Sequence, residues 1–379
     1  MPKYPASPYF CAMKSLKILL PVLLIAGTIV YIACSDEPDG FRYAAQDRGI
    51  TLPADHAAHP EYQNEWWYYT GHLRSKDGRR FGFQLTWFRV GLSKEQQEGS
   101  RFKASTFYFA HFTVTDKDRG IFLHAERSSR GGQYDDAGAD ARVLRTWIND
   151  WRLEGLGSMF YMSGRTDTMG LSLIATPKKP AVLQGTNGYS RKGDDPTNAS
   201  MYYSMTRLGV AGVLMLDGVP LEVEGEAWMD HEFGTSQLSA EQVGWDWFSL
   251  QLANNEELML YGLRRPDGSY DPNASGSYIK ADGTRIPLTP NDYTIEVQDR
   301  WKSQKSGATY PAKWRVTVPK LGIDALVTPY MADQELQTEN SARVTYWEGA
   351  VKVDATVQGA KVAGEGYVEL TGYAAPLKF

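Results

Sequence analysis

Two short segments concentrate the residues able to move a proton. They are Trp228-Met229-Asp230-His231-Glu232-Phe233-Gly234 and Gly244-Trp245-Asp246-Trp247-Phe248. A carboxyl group among indole and thioether side chains loses hydration, which favours its neutral form and raises its pKa toward neutrality. Asp230 or Asp246 in such a setting is a general acid for an apolar ligand. The plainer alternative is that Asp230, His231 and Glu232 turn the chain between two lobes while Asp246 forms a salt bridge or caps a strand end. A third segment, Glu65-Trp66-Trp67-Tyr68-Tyr69 with His72 beyond it, reads either as a cavity wall or as plain aromatic core.

Covalent catalysis lacks its parts, because the chain contains no G-x-S-x-G, no H-E-x-x-H and no G-x-x-x-x-G-K. Its two cysteines, Cys11 and Cys34, both precede the globular region, so no disulfide staples the fold. Of six histidines only His56 and His59 are close in sequence. Two ligands fall short of the three or four a metal needs, so His-Ala-Ala-His reads as a solvated turn. Neither a metal nor a cofactor is expected.

The elements that must position these groups are strands. Phe81, Phe83, Leu85 and Trp87 fall on one face of a period-2 segment, opposite Gly82, Gln84, Thr86 and Phe88. In Ser105–Val114, Phe107, Phe109 and His111 alternate with Tyr108, Ala110, Phe112 and Val114, which predicts a strand buried on both faces. Turn signals such as Ser75–Gly78, Gly185–Gly188, Arg265–Gly268 and Ala281–Gly283 punctuate further strands. The fold class is therefore all-β, and closure into barrels would remove exposed edges. The segment from Lys178 to Asn198 reads as a long loop, a lid over a cavity.

Trp66, Tyr69, Thr70 and Leu73 recur 179 residues later as Trp245, Phe248, Ser249 and Leu252. This weak repeat predicts two related lobes, residues 61–240 and 241–379, divided near 237–243. Composition agrees: of 379 residues 42% are hydrophobic and 22% charged, which excludes a disordered, collagen-like or coiled-coil chain. The 36 Gly, 22 Tyr, 14 Phe and 11 Trp favour aromatic-rich strands joined by tight turns. With 40 basic against 45 acidic residues and no basic run, nucleic acid is excluded as a partner.

The first 34 residues read as an address. Ile18 to Ala33 is apolar and follows Lys14 and Lys17, the anatomy of an export signal. Ala33-Cys34-Ser35 resembles the end of a bacterial lipoprotein signal, with Tyr31 where that motif usually has Leu. The expectation is a cell-envelope protein lipid-anchored at Cys34; an uncleaved N-terminal anchor or a plain cleaved signal would also place the body outside the cytoplasm. Residues 35–60, beginning SDEPDG, read as a tether.

Three blocks carry a family resemblance: Asn64–Leu73 (NEWWYYTGHL), Gly225–Gly234 with Gly244–Leu252 (GEAWMDHEFG, GWDWFSLQL), and Tyr346–Val351 with Gly364–Tyr373 (YWEGAV, GEGYVELTGY). They resemble the two-lobed lipocalin-like family of AttH-type secreted proteins and carotenoid 1,2-hydratases (hydroxyneurosporene synthases), over roughly residues 60–379. Phe233 departs from the pattern, where Trp is expected. The resemblance implies two lipocalin-like antiparallel β-barrel lobes and a cavity for a long hydrophobic ligand, isoprenoid or fatty-acyl. It implies hydration of a C=C bond, with Asp246 or Asp230 as acid, His231 orienting water or relaying a proton, and Trp245 and Trp247 flanking the cation. Trp66, Trp67, Tyr69, His72 and Trp228 would line the ligand site. Alternatives are a non-catalytic lipid carrier or accessory protein of an envelope ABC-type transport system, and a secreted hydrolase.

Overall fold

The structure is a computed structural model that describes residues 40–92, 105–131, 136–236 and 238–377. Cys34 and the rest of the leader lie outside the described residues.

Among the described residues, alternation of apolar and polar residues builds 23 strands. The first lobe begins with β1 (Asn64–Ser75), β2 (Arg80–Gly91), β3 (Thr106–Asp116) and β4 (Ile121–Arg130). Five shorter strands follow: β5 (Ala137–Ala139), β6 (Arg145–Ile148), β7 (Trp151–Leu156), β8 (Met159–Arg165) and β9 (Met169–Pro177). It closes with β10 (Val182–Leu183), β11 (Tyr189–Arg191) and the long hairpin β12 (Ala199–Leu216) and β13 (Val219–Ser236). The second lobe comprises β14 (Gly244–Leu252), β15 (Glu257–Arg264), β16 (Ser275–Ile279), β17 (Arg285–Leu288), β18 (Thr294–Lys302), β19 (Thr309–Val318), β20 (Ile323–Pro329), β21 (Glu335–Gln337), β22 (Thr345–Val357) and β23 (Ala360–Leu370).

Each lobe is one antiparallel sheet curled into a barrel-like form. The first runs β4-β3-β2-β1-β13-β12-β9-β8-β7-β6-β5, with β10 and β11 on β12; the second runs β17-β16-β15-β14-β23-β22-β20-β19-β18, with β21 on β22. The first strand of each lobe pairs with its second and its last: β1 with β2 and β13, β14 with β15 and β23. The repeated residues thus occupy equivalent places, with Trp66 and Trp245 beside the aromatic cluster between the lobes and Tyr69 and Phe248 inside their own lobes.

Alternation along these strands creates three apolar layers. Trp67, Tyr69, Phe83, Leu85, Trp87 and Phe112 fill the first lobe, and Phe248, Leu250, Trp314, Trp347 and Val351 fill the second. Between the lobes, Tyr68, Tyr202, Trp228, Trp247, Ala350 and Tyr367 form a third buried cluster. The lobes therefore share a packed face, and β2 shows how close they come. A Cβ at Gly82 would overlap the Ala350 methyl and stand 2.6 Å from the Tyr367 hydroxyl. Gly82→Ala is expected to cost about 1–3 kcal/mol by overpacking, read as a lower urea midpoint; an unchanged midpoint would mean that the lobes separate freely.

Two stretches read as irregular from sequence have structural work here. Residues 41–62 are no tether: Phe41, Ala44, Ala57, Ala58 and Tyr62 are buried, and Arg42 N–H bonds Glu61 O across a folded-back arm. The acidic opening hides these apolar anchors, which find their partners only in the first lobe; a Cβ on Gly91, for example, would collide with the Phe41 ring. Likewise Lys178–Asn198 is a strap rather than a lid, because Lys179 is buried with its ammonium 2.8 Å from Glu257 Oε2 in the second lobe. Arg207 Nε completes that pair, 2.7 Å from Glu257 Oε1.

Candidate active site

Asp230 stands at the centre of the face between the lobes. On β13 it pairs with Tyr68 of β1 and Ser204 of β12, so its side chain leaves the first lobe toward the second. Three donors reach it: Trp228 Nε1–H at 2.7 Å and Ser204 O–H at 2.5 Å to Oδ1, and Tyr202 O–H at 2.7 Å to Oδ2. Among the described residues no Lys or Arg pairs with it. Burial raises its pKa to about 7, and the Glu232 carboxylate adds to the rise, while the Ser204, Tyr202 and Trp228 donors hold it down. A group poised there can both give and recover a proton near neutrality.

The second lobe supplies two more carboxyls that sequence reading did not single out as site residues. Glu348 is fully buried; its Oε1 accepts the Tyr68 hydroxyl at 2.7 Å and its Oε2 has no hydrogen-bond partner among the described residues. Burial, then the neighbouring Glu369, push it well above the ordinary range, while the Tyr68 hydroxyl holds it down. Glu369 is its cross-strand partner and accepts Trp245 Nε1–H at 2.9 Å. Burial, with the Asp230 and Glu232 charges, raises Glu369 to about 7 against the Trp245 donor, although its side chain remains partly accessible. Their signal in the sequence was the one Asp230 gave: a carboxylate inside an aromatic strand, in Tyr346-Trp347-Glu348 and Tyr367-Val368-Glu369.

Aromatic rings frame these acids. Trp247 meets Tyr68 edge-on at 5.2 Å and Trp228 at 6.1 Å, while Trp66, Trp245 and Tyr261 form a partly exposed rim. Glu232 beside them is neutralised by Lys192, whose ammonium lies 2.7 Å away and 4.2 Å from the Tyr261 ring centre. His72 is on the same face but four residues along the strand, about 13 Å, where it bonds Tyr330 OH at 3.0 Å and Gly366 O at 2.8 Å. A separate cleft of 480 Å³, whose walls include Gly185, Tyr189, Asn273 and Leu288, touches none of the buried carboxyls.

The structure parts the other candidates from Asp230. His231, next along β13, points into the first lobe, where Nε2 lies 2.9 Å from Glu65 Oε1 and the ring stacks on Trp67 at 4.9 Å. Trp67 and Tyr69 share that interior. Asp246 faces away from its neighbours Trp245 and Trp247: Arg264 Nε lies 3.0 Å from it and the Tyr270 and Tyr373 hydroxyls donate to it. Burial pushes Asp246 up while Arg264 and the two tyrosines pull it down, an ion-pair arrangement rather than an aromatic acid site.

His56 and His59 are not a solvated turn. His59 is buried with Nδ1 2.7 Å from Glu65 Oε1 and Nε2 3.1 Å from Asp55 Oδ1, and His56 Nδ1 lies 2.6 Å from Tyr203 OH. The candidate ligand atoms of His59, Glu65 and His231 lie within 4.8 Å of one another. Arg89 Nε already neutralises Glu65 Oε2 at 2.9 Å, and His59 Nδ1, the His59 backbone N–H and His231 Nε2 satisfy the rest of the carboxylate, so the cluster is complete as a hydrogen-bonded clamp.

The AttH-like family profile matches residues 43–373. The crystal structure of an AttH-like protein from Nitrosomonas europaea is 32% identical and superimposes with a TM-score of 0.80 over 88% of this chain and 100% of that one. Kievitone hydratase of Fusarium solani subsp. phaseoli is 22% identical over 143 residues, 38% of this chain and 39% of that protein. The crystal structure of kievitone hydratase from Nectria haematococca, 14% identical, shares the fold with a TM-score of 0.67 over 89% and 98% of the two chains. Matched across nearly all of its described residues, the chain belongs to the AttH-like family.

Proposed function

We propose that this protein is a hydratase-like enzyme that adds water across a carbon–carbon double bond of a hydrophobic ligand at the face between its lobes. The observation that carries the reading is Asp230, a buried carboxyl without a cationic partner among the described residues, held near neutrality among Trp228, Tyr202 and Trp247. Its proton adds to one alkene carbon, and the positive charge left on the other is met by aromatic faces. Water then bonds to that carbon and gives up a proton, which restores Asp230. The similarity to kievitone hydratase supports this class of reaction. Asp246 and His231, both turned into other surroundings, have no part in it.

The ligand we infer is isoprenoid or fatty-acyl, and the export signal with Cys34 supports an envelope location. The test is native mass spectrometry of the protein from its own membrane, identification of any bound lipid, and turnover of that lipid in ¹⁸O-labelled water. An unsaturated ligand gaining one labelled hydroxyl is the expected result. A saturated ligand, recovered unchanged, would favour a carrier and overturn the hydratase reading.

A further inference from the structure

An unbroken hydrogen-bond chain runs from the second lobe to Asp230. Arg285 Nε–H donates to Ser277 Oγ at 2.7 Å, and Ser277 O–H to Gln184 Oε1 at 2.7 Å. Gln184 Nε2–H donates to Ser204 Oγ at 2.9 Å, and Ser204 O–H to Asp230 Oδ1 at 2.5 Å. Ser277, Gln184 and Ser204 are all buried, and among the described residues Arg285 pairs with no carboxylate.

The direction of every link is set at the Arg285 end. A guanidinium only donates, so Ser277 must turn its hydrogen to Gln184, which fixes the amide with its oxygen toward Ser277 and its nitrogen toward Ser204. Ser204, accepting from that nitrogen, sends its own hydrogen to Asp230 Oδ1. Trp228 Nε1, another pure donor, occupies the same oxygen. The carboxyl proton is thereby excluded from Oδ1 and carried on Oδ2. There the contact is the Tyr202 hydroxyl, which donates to Oδ2 when Asp230 is ionised and, unlike the Trp228 N–H, can turn to accept the carboxyl proton when it is not; its oxygen also accepts Trp247 Nε1–H from the second lobe at 3.3 Å. Neither a guanidinium nor an amide passes a proton onward, so the chain orients the acid and does not conduct.

Resting on the assignment of Asp230 as the acid, we propose that Arg285 and Gln184 are positioning residues that, through Ser277 and Ser204, make Oδ2 of Asp230 the proton-bearing oxygen once the lobes are docked. Other titratable neighbours of Asp230 are Glu232 on its own strand, Tyr202 on β12, Tyr68 on β1 and Glu369 from the second lobe. Lys192 pairs with Glu232. None of them fixes the Ser204 hydroxyl.

The test is a ¹³C NMR titration of the aspartate carboxyls in the full chain, with Asp230 assigned by the signal lost in Asp230→Asn. Gln184→Met frees the Ser204 hydroxyl to accept instead of donate, and the Asp230 pKa is expected to rise by about one unit. Arg285→Lys keeps the charge but loses the Nε donor, and the same upward shift is expected. In a Ser204→Ala background Gln184→Met should add nothing, because the link through which it acts is gone. An unmoved Asp230 in Gln184→Met, or in Arg285→Lys should the former not fold, overturns the proposal, as does a shift that survives undiminished in Ser204→Ala. Turnover of Asp230→Asn decides the acid assignment separately, since the titration needs no substrate.

Discussion

Asp230→Asn is expected to lower turnover by on the order of 10² to 10⁴, the contribution of a positioned general acid, while ligand binding changes little. Asn keeps an acceptor for Ser204 and Trp228 but has no proton to give. The same substitution has a signature in stability that needs no substrate. The carboxyl of Asp230 sits at about 7 in the fold against an ordinary 3.8. Between those values the folded protein holds a proton that the unfolded chain has released. Its contribution to stability is therefore fully present below about pH 4, declines as pH rises, and levels off above about pH 7. Relative to wild type, Asp230→Asn should look progressively less destabilising from pH 5 to pH 8. Glu369 titrates in the same sense and is raised in part by the Asp230 charge, so the wild-type-minus-variant difference, measured by urea unfolding, reads Asp230 together with its coupling to Glu369. A flat difference together with retained turnover would remove Asp230 from the mechanism. Asp246→Asn is the informative control: it strands the buried Arg264, so its effect should fall on stability and leave turnover per folded molecule intact.

The largest structural loss is expected from Glu65→Ala. Its fully buried carboxylate faces Arg89 and His231 at 2.9 Å and His59 at 2.7 Å, and it also accepts the His59 backbone N–H. Removal leaves a buried guanidinium without a counter-charge, which costs about 3–5 kcal/mol. Because His59 belongs to the 41–62 arm, that arm should become protease-sensitive at the same time. Burial opposes the charge, yet the His231, His59 and Arg89 contacts hold Glu65 well below the usual carboxylate range. Its stabilisation is thus present above the ordinary 4.5 and is lost as pH falls below it. The advantage of wild type over Glu65→Gln should shrink on acidification through that window. A loss of under about 1 kcal/mol for Glu65→Ala at pH 7 would mean the cluster adds nothing beyond an exposed pair.

Local residue pattern was enough for the all-β class and the faces of the main strands. Alternation over Phe81–Phe88 and Ser105–Val114 is local, and period 2 is enforced by the pleat of each strand. The pattern also marked Asp246 and Asp230 together, because a carboxylate among aromatic residues in a strand must either be paired or become an acid, and it left the choice between them open. The same period already separates neighbours: once β13 is a strand, Asp230 and His231 cannot serve one site, and Asp246 cannot share a face with Trp245 and Trp247. Which residues distant in the chain meet is instead a matter of how the sheets pair and the lobes pack. Tyr68 and Glu348 are 280 positions apart and Asp230 and Ser204 are 26 apart, and their contact depends on strand register and lobe docking, which no local pattern encodes. The surroundings of Asp230 were set at that same level. Among the described residues Lys192 pairs with Glu232 and Arg264 with Asp246, and Asp230, like Glu348 and Glu369, is left in the face between the lobes without a cation, which favours its neutral form.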